Sequence, residues 1–162
     1  MKRTKLLVAI GVGLLGGGVA MAQSTDLYSY REGSLDVGGF YGSKDKGGNH
    51  DAWGMAVGFN YFFNQYFGAG ADTYFDAFTL PYLLNADGIF RYPIQRTKLA
   101  PYGFAGFGRQ WTHAAQWLGH AGVGIEYRFQ PKMGAFFDAR AVFPSETKDY
   151  AVLRFGFRFV FK

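Results

Sequence analysis

The last twelve residues of the chain, 150–161, constrain the fold more than any other stretch. Apolar and polar side chains alternate there with a period of two, and this period predicts a β-strand because successive side chains of a strand point to opposite faces. One face is apolar and largely aromatic, with Ala151, Leu153, Phe155, Phe157, Phe159 and Phe161. The other face holds Tyr150, Val152, Arg154, Gly156, Arg158 and Val160.

Two kinds of β-protein can use such a strand. In a soluble barrel the aromatic face would turn inward and the arginines would meet water. In a transmembrane barrel the aromatic face meets lipid and the arginines meet a polar lumen. About nine to eleven tilted residues cross a bilayer, so the stretch is long enough for the second arrangement.

The same alternation recurs along the chain and predicts eight strands. They cover residues 34–42, 52–63, 66–78, 82–94, 102–111, 117–129, 133–143 and 150–161. An even number of strands joined by short connections is typical of an up-and-down antiparallel barrel, and closure removes exposed sheet edges. We therefore expect an all-β fold, an eight-stranded antiparallel up-and-down transmembrane β-barrel that occupies residues 34–162 and is preceded by a cleaved signal peptide.

Residues 1–22 have the pattern of that secretory signal. A basic start with Lys2, Arg3 and Lys5 precedes an apolar segment over 6–20, and Ala20-Met21-Ala22 matches a small-residue cleavage site. Residues 23–33 would then form a short periplasmic segment. Because the signal contains three of the 17 basic residues, the high pI does not indicate a nucleic-acid partner.

Charged residues on the strands indicate which face is inside. We expect an ionic network in the lumen, built from Asp36, Asp72, Asp76, Asp87, Arg91, Arg109, His120, Glu126, Arg128, Asp138, Arg140, Arg154 and Arg158. Arginine suits this place because its planar guanidinium pairs with carboxylates through two parallel hydrogen bonds. Near the middle of the bilayer each lipid-facing arginine would cost roughly 2–4 kcal/mol.

A soluble, lipocalin-like lipid-binding barrel remains the alternative fold. An eight-stranded barrel holds little more than its own side chains and one small ligand. The apolar faces of this chain carry large side chains on nearly every strand, and this favours the membrane barrel.

The signal, the eight amphipathic strands and the terminal run from Arg154 to Phe161 resemble small bacterial outer-membrane proteins of the OmpA/OmpX-like β-barrel family. This resemblance implies a location in the outer membrane, contact with its lipids and lipopolysaccharide, and insertion by the barrel-assembly machinery. In that family the chain often ends on an aromatic residue that the machinery reads. Phe157, Phe159 and Phe161 are therefore the candidate insertion signal, although Lys162 follows them.

The sequence predicts no catalytic, cofactor or metal site. The three histidines are scattered and cysteine is absent, so no zinc spacing occurs. Some outer-membrane barrels modify lipids with a rim histidine, serine and acid, for which Ser43, His50 and Asp51 are the candidates here. The lipid A deacylase family carries a His-x-Ser element, but this chain has His120-Ala121-Gly122. We expect a structural or surface role, with a lipid-modifying enzyme as the alternative.

Overall fold

The computed structural model describes residues 27–43, 52–76, 81–94, 96–111 and 115–162, without the side chains of Asp76, Pro81 and Tyr82. The predicted signal peptide lies outside these residues. His50 and Asp51 of the candidate rim triad also lie outside them.

Eight antiparallel strands form one closed barrel in which every strand pairs with its sequence neighbours and β8 pairs with β1. The strands are β1 (Glu32–Ser43), β2 (Ala52–Phe62), β3 (Phe67–Asp76), β4 (Pro81–Arg91), β5 (Leu99–Trp111), β6 (Ala115–Gln130), β7 (Met133–Pro144) and β8 (Tyr150–Phe161). This architecture confirms the predicted eight-stranded barrel. The described ranges contain no helix that is long and apolar enough to cross a membrane.

The two faces of the barrel wall have opposite chemistry, as β8 shows. Phe155 and Phe157 are more than half exposed on the outside, whereas the exposed fractions of Arg154 and Arg158 are only 6% and 3%. The other strands repeat this arrangement, with most of the large apolar side chains outside and the buried charged side chains inside. The alternative in which the aromatic faces turn inward, as a soluble lipid-binding barrel requires, is therefore wrong.

The barrel closes where β1 meets β8, and glycine is needed at this seam. Gly38 and Gly156 lie directly opposite each other. A Cβ atom on Gly38 would lie 2.0 Å from the carbonyl oxygen of Phe155, and one on Gly156 would lie 2.3 Å from that of Val37. The two backbones therefore approach more closely than any side chain would allow.

The lumen differs between its two ends. We call the end where β1 begins and β8 finishes the terminus end, and the opposite one the loop end. An apolar cluster, the loop-end plug, fills the lumen near the loop end and consists of Phe40, Ala56, Tyr74, Leu83, Leu118, Val142 and Val152. The charged residues of the lumen lie between this plug and the terminus end, so packed apolar side chains separate them from the loop end.

Candidate functional site

The ionic lumen is the most unusual chemical feature of the described chain. Its buried carboxylates belong to Glu32, Asp36, Asp72, Asp87, Glu126 and Asp138. Its buried guanidinium groups belong to Arg91, Arg128, Arg140, Arg154 and Arg158, and His120 is buried beside them. Burying a charge is costly unless it is paired and hydrogen-bonded. The arrangement of partners therefore determines whether this interior is stable.

A four-residue cluster closes the terminus end of the lumen. Arg91 Nη1 donates to Glu32 Oε1 at 2.6 Å, and Arg128 Nη2 donates to the same oxygen at 3.0 Å. Arg128 also pairs with Glu126, its neighbour on the inner face of β6. All four side chains are fully buried. Two cations thus face two anions in a space without solvent.

The next pair lies directly across the β1–β8 seam. Asp36 and Arg158 are register partners, and Arg158 binds Asp36 through two hydrogen bonds of 2.7 Å, from Nε to Oδ1 and from Nη2 to Oδ2. The third arm, Nη1, donates to Glu126 Oε2 at 2.7 Å. Asn60 Nδ2 donates to Asp36 Oδ2 at 3.0 Å. This pair joins the closing strands and links the seam to the terminus-end cluster.

Asp72 is the centre of a second cluster, in the middle of the barrel. It accepts hydrogen bonds from Arg140 Nη2 at 2.6 Å, Arg154 Nη1 at 2.7 Å and Asn85 Nδ2 at 2.7 Å. Arg154 also donates to both oxygens of Asp138 at 2.9 and 2.8 Å. Donors from three different strands therefore meet at one carboxylate, which ties opposite walls of the barrel together.

His120 belongs to the same central region. Its Nε2 lies 2.5 Å from Asp87 Oδ1, and Arg140 Nη2 lies 3.4 Å from Asp87 Oδ2. The imidazole reaches Asp87 across β5, where Gly106 is the register partner of both residues. A Cβ atom on Gly106 would lie 2.9 Å from His120 Nε2 and 1.9 Å from the carbonyl oxygen of Ala86. Glycine at this position is what makes the contact possible.

The segment 27–31, which we call the strap, crosses the terminus end. The Tyr28 ring lies under two guanidinium groups, with its centroid 4.5 Å from Arg128 Cζ and 4.9 Å from Arg91 Cζ. Its hydroxyl donates to the carbonyl oxygen of Lys98 at 2.9 Å, and Arg128 Nη1 donates to the carbonyl oxygen of Leu27. Burial raises the pKa of the Tyr28 phenol. The strap thus covers the terminus-end cluster with a neutral ring.

The structure brings together most of the residues that the sequence singled out. The buried lumen contains Asp36, Asp72, Asp87, Arg91, His120, Glu126, Arg128, Asp138, Arg140, Arg154 and Arg158. Asp76 ends β3, but its side chain lies outside the described part. Glu32 and Tyr28 were missed. Glu32 has the same strand parity as Asp36 and could have been found, whereas nothing in the sequence indicates that Tyr28 folds over the lumen.

The prediction for Arg109 is wrong. This residue has the parity of Ala105 and Phe107, which face outward, and its side chain is exposed on the outer wall. Its guanidinium Cζ lies 5.5 Å from the ring centroid of Trp117, its register partner on β6. The error arose because both faces of β5 carry aromatic residues, so the polarity of the strand was ambiguous. Tyr102 and Phe104 are the inward pair.

Known structures share the fold, whereas sequence comparisons find no relative. No protein-family model matches the sequence, and no curated protein matches it. The N-terminal β-barrel domain of Pseudomonas aeruginosa OprF is 19% identical, with a TM-score of 0.57, covering 82% of this chain and 98% of that one. Ail, the attachment invasion locus protein of Yersinia pestis, is 15% identical, with a TM-score of 0.58 and coverage of 82% and 99%. A designed transmembrane β-barrel is 17% identical, with a TM-score of 0.60 and coverage of 82% and 97%.

Proposed function

We propose that this chain is an integral outer-membrane protein with a structural or surface role, whose barrel spans the bilayer and whose lumen is sealed by ion pairs. The observation that carries this proposal is the inverted polarity of the barrel wall. The outside presents exposed phenylalanines, and the inside buries five arginines against carboxylates. Only a surrounding apolar solvent makes that arrangement favourable, because apolar area in water is costly.

The lumen is too full to act as a wide pore. An eight-stranded barrel has an interior just wide enough for its own side chains. Here the loop-end plug closes one end and the strap with the terminus-end cluster closes the other. Between them, guanidinium and carboxylate groups bridge the walls at hydrogen-bond distance. We infer that this network holds the wall in shape and that the resting protein conducts few ions.

A catalytic role has little support in the described residues. His120 is the histidine among them, and it is buried against Asp87 in the lumen rather than exposed on the outer wall. Those residues contain no group of three or more metal-ligating side chains. We therefore propose a non-enzymatic protein. Within the described ranges, Ser43 at the loop end of β1 has no histidine beside it in the pairing register.

The proposed route to the membrane rests on the sequence. We propose that residues 1–22 direct export and are removed, and that residues 23–33 lie at the periplasmic side, with Glu32 and Gly33 already forming the start of β1. Phe157, Phe159 and Phe161 on the outer face of β8 serve as the insertion signal for the barrel-assembly machinery. Their rings are exposed at the terminus end, where a partner could contact them before insertion. Outer-membrane lipids and lipopolysaccharide would surround the finished barrel.

Fractionation and a heat-modifiability gel test the proposal together. The processed protein should be recovered with outer membranes, and in detergent it should migrate differently before and after boiling. Recovery in the periplasm without detergent would refute the membrane assignment. In planar bilayers the purified barrel should show little conductance, and a large steady conductance would contradict the sealed lumen. Changed lipid A on overexpression would overturn the non-enzymatic assignment.

A further inference from the structure

The exposed Arg109 and a groove below it do not belong to the lumen and have no role in sealing it. Among the charged residues that the structure describes within the strands, Arg109 is the one that faces outward. It lies two residues before the loop end of β5, at Trp111. A lipid-facing arginine costs roughly 2–4 kcal/mol at the bilayer midplane but about 0–1 kcal/mol near the interface. The free-energy cost of the exposed charge is therefore smallest if this end of β5 lies at headgroup depth, where the guanidinium meets polar groups.

The surroundings of Arg109 hold its guanidinium at the wall. Trp117 is 58% exposed and lies beside the guanidinium, with 5.5 Å between Cζ and the ring centroid. On the other side its register partner is Leu84, an exposed apolar residue. No carboxylate is a register partner of Arg109 on either neighbouring strand. The guanidinium of Arg109 is thus available to pair with an anionic group at the membrane surface.

A shallow groove of about 490 Å³ lies on the same strands, nearer the middle of the barrel. Its floor includes Gly88, Gly103 and Ala105, which have no large side chains, and the rings of Phe67 and Phe90 form one wall with centroids 5.3 Å apart. A Cβ atom on Gly88 or Gly103 would meet nothing closer than 3.8 Å. The groove is therefore open space on the lipid side.

The depth of the groove matches the reach of one acyl chain from Arg109. Ala105 and Gly103 lie four and six residues along β5, which is about 13 and 20 Å at roughly 3.3 Å per residue. With strands tilted by about 40°, the vertical drops are about 10 and 15 Å. Half of the hydrocarbon core is about 15 Å. A lipid whose phosphate contacts Arg109 can thus lay its chain in the groove.

We propose that Arg109, Trp117 and this groove form a binding site for an anionic, phosphate-bearing membrane lipid of the leaflet at the loop end. The guanidinium donates charge-assisted hydrogen bonds to the phosphate oxygens, and the indole holds it in place. The Gly/Ala floor accommodates the acyl chain, where larger side chains would keep it out. The inference rests on the proposed membrane location, but it assigns a ligand class that the location alone does not.

Fluorescence quenching by brominated lipids tests the site. The full-length mature protein, with Trp53→Phe and Trp111→Phe to leave Trp117 as the single indole, is folded into phosphatidylcholine vesicles. Phosphatidylglycerol or phosphatidylcholine with bromines near the headgroup is then titrated. We expect the quenching of Trp117 to show that phosphatidylglycerol binds in preference to phosphatidylcholine. Arg109→Gln should reduce this preference about tenfold, because one hydrogen bond to a charged group is lost. An unchanged preference in Arg109→Gln would overturn the site.

Matched variants separate the groove from the general membrane surface. Ala105→Leu fills the groove and should weaken the binding of both lipids to a similar extent, whereas Ala139→Leu adds the same bulk to the outer wall of β7 and should leave binding unchanged. Arg31→Gln removes an exposed arginine that lies at the same 5.5 Å from an aromatic ring, at the terminus end, and should leave the lipid preference intact. Equal effects of the two leucine variants would refute the groove. A heat-modifiable barrel without lipid preference would refute the site but not the proposed function.

Discussion

Replacing the ion pair of Asp36 and Arg158 tests whether the lumen network stabilises the closed barrel. The two side chains are 4% and 3% exposed, and they join the strands that close the cylinder. Asp36→Ala leaves Arg158 with Glu126 as its carboxylate partner, and Arg158→Met leaves Asp36 with the Asn60 amide. Removing one partner of a buried pair typically costs about 3–5 kcal/mol because the other charge remains buried.

The double variant distinguishes pairing from general damage. Replacing both partners by apolar side chains removes the uncompensated charge as well, and such replacements of whole buried pairs are often close to neutral. We therefore expect Asp36→Ala with Arg158→Met to cost less than the sum of the single variants, with a coupling of about 2–3 kcal/mol. The exposed Arg96→Met, in the turn between β4 and β5, should change stability by less than about 0.5 kcal/mol.

Urea unfolding of the barrel in phosphatidylcholine vesicles provides the measurement. Tryptophan emission is followed in both the folding and the unfolding direction, so that the free energy is taken only where the two curves coincide. Single variants that cost less than about 1 kcal/mol would mean that water reaches the pair and screens it. Strictly additive costs would mean that the two residues act independently. Either result would refute the claim that direct pairing holds the seam.

Three further predictions follow from particular contacts. Tyr28→Ala should expose the terminus-end cluster and lower the free energy of unfolding by about 1–3 kcal/mol, because two cation–π contacts are lost. Faster deuterium uptake in the strap would confirm the exposure. Because the pKa of Tyr28 is raised in the folded protein, its contribution is complete below about pH 10 and is lost as the pH rises above that value, so Tyr28→Phe should flatten the alkaline fall in the free energy of unfolding. Gly106→Val should prevent a heat-modifiable barrel, since a Cβ there would lie 1.9 Å from the carbonyl oxygen of Ala86, whereas Gly88→Val should fold normally.

Strand alternation was sufficient to predict the barrel and most of the lumen. In β8 the two faces differ so strongly that Arg154 and Arg158 could be placed inward from the sequence alone. The same argument failed for Arg109 because β5 carries rings on both faces, so only neighbouring strands determine which face turns inward. Glu32 was missed because it was assigned to the segment before the first strand, although the alternation of β1 extends to it.

Pairing partners within the lumen could not be predicted, since they depend on the stagger of the strands. Asp72 on β3 contacts Arg154 on β8, and these residues are 82 positions apart in sequence. Alternation shows that both point inward, but only the register of a closed barrel brings them to the same height. The loop-end plug was also unforeseen, because an apolar residue such as Val142 on an inner face looks like an interruption of the pattern.

The glycine contact between β1 and β8 has a consequence for how the molecule is made. Gly38 and Gly156 meet only after the whole chain has been synthesised, and contacts between such distant residues form slowly. Until then, Arg158 and Asp36 lie on the two unpaired edge strands of the sheet. Neither charge could enter hydrocarbon alone without a large desolvation penalty. A half-assembled sheet would therefore stall at the membrane surface. The sheet should cross the bilayer only as β1 and β8 pair, so that insertion and barrel closure are one cooperative event.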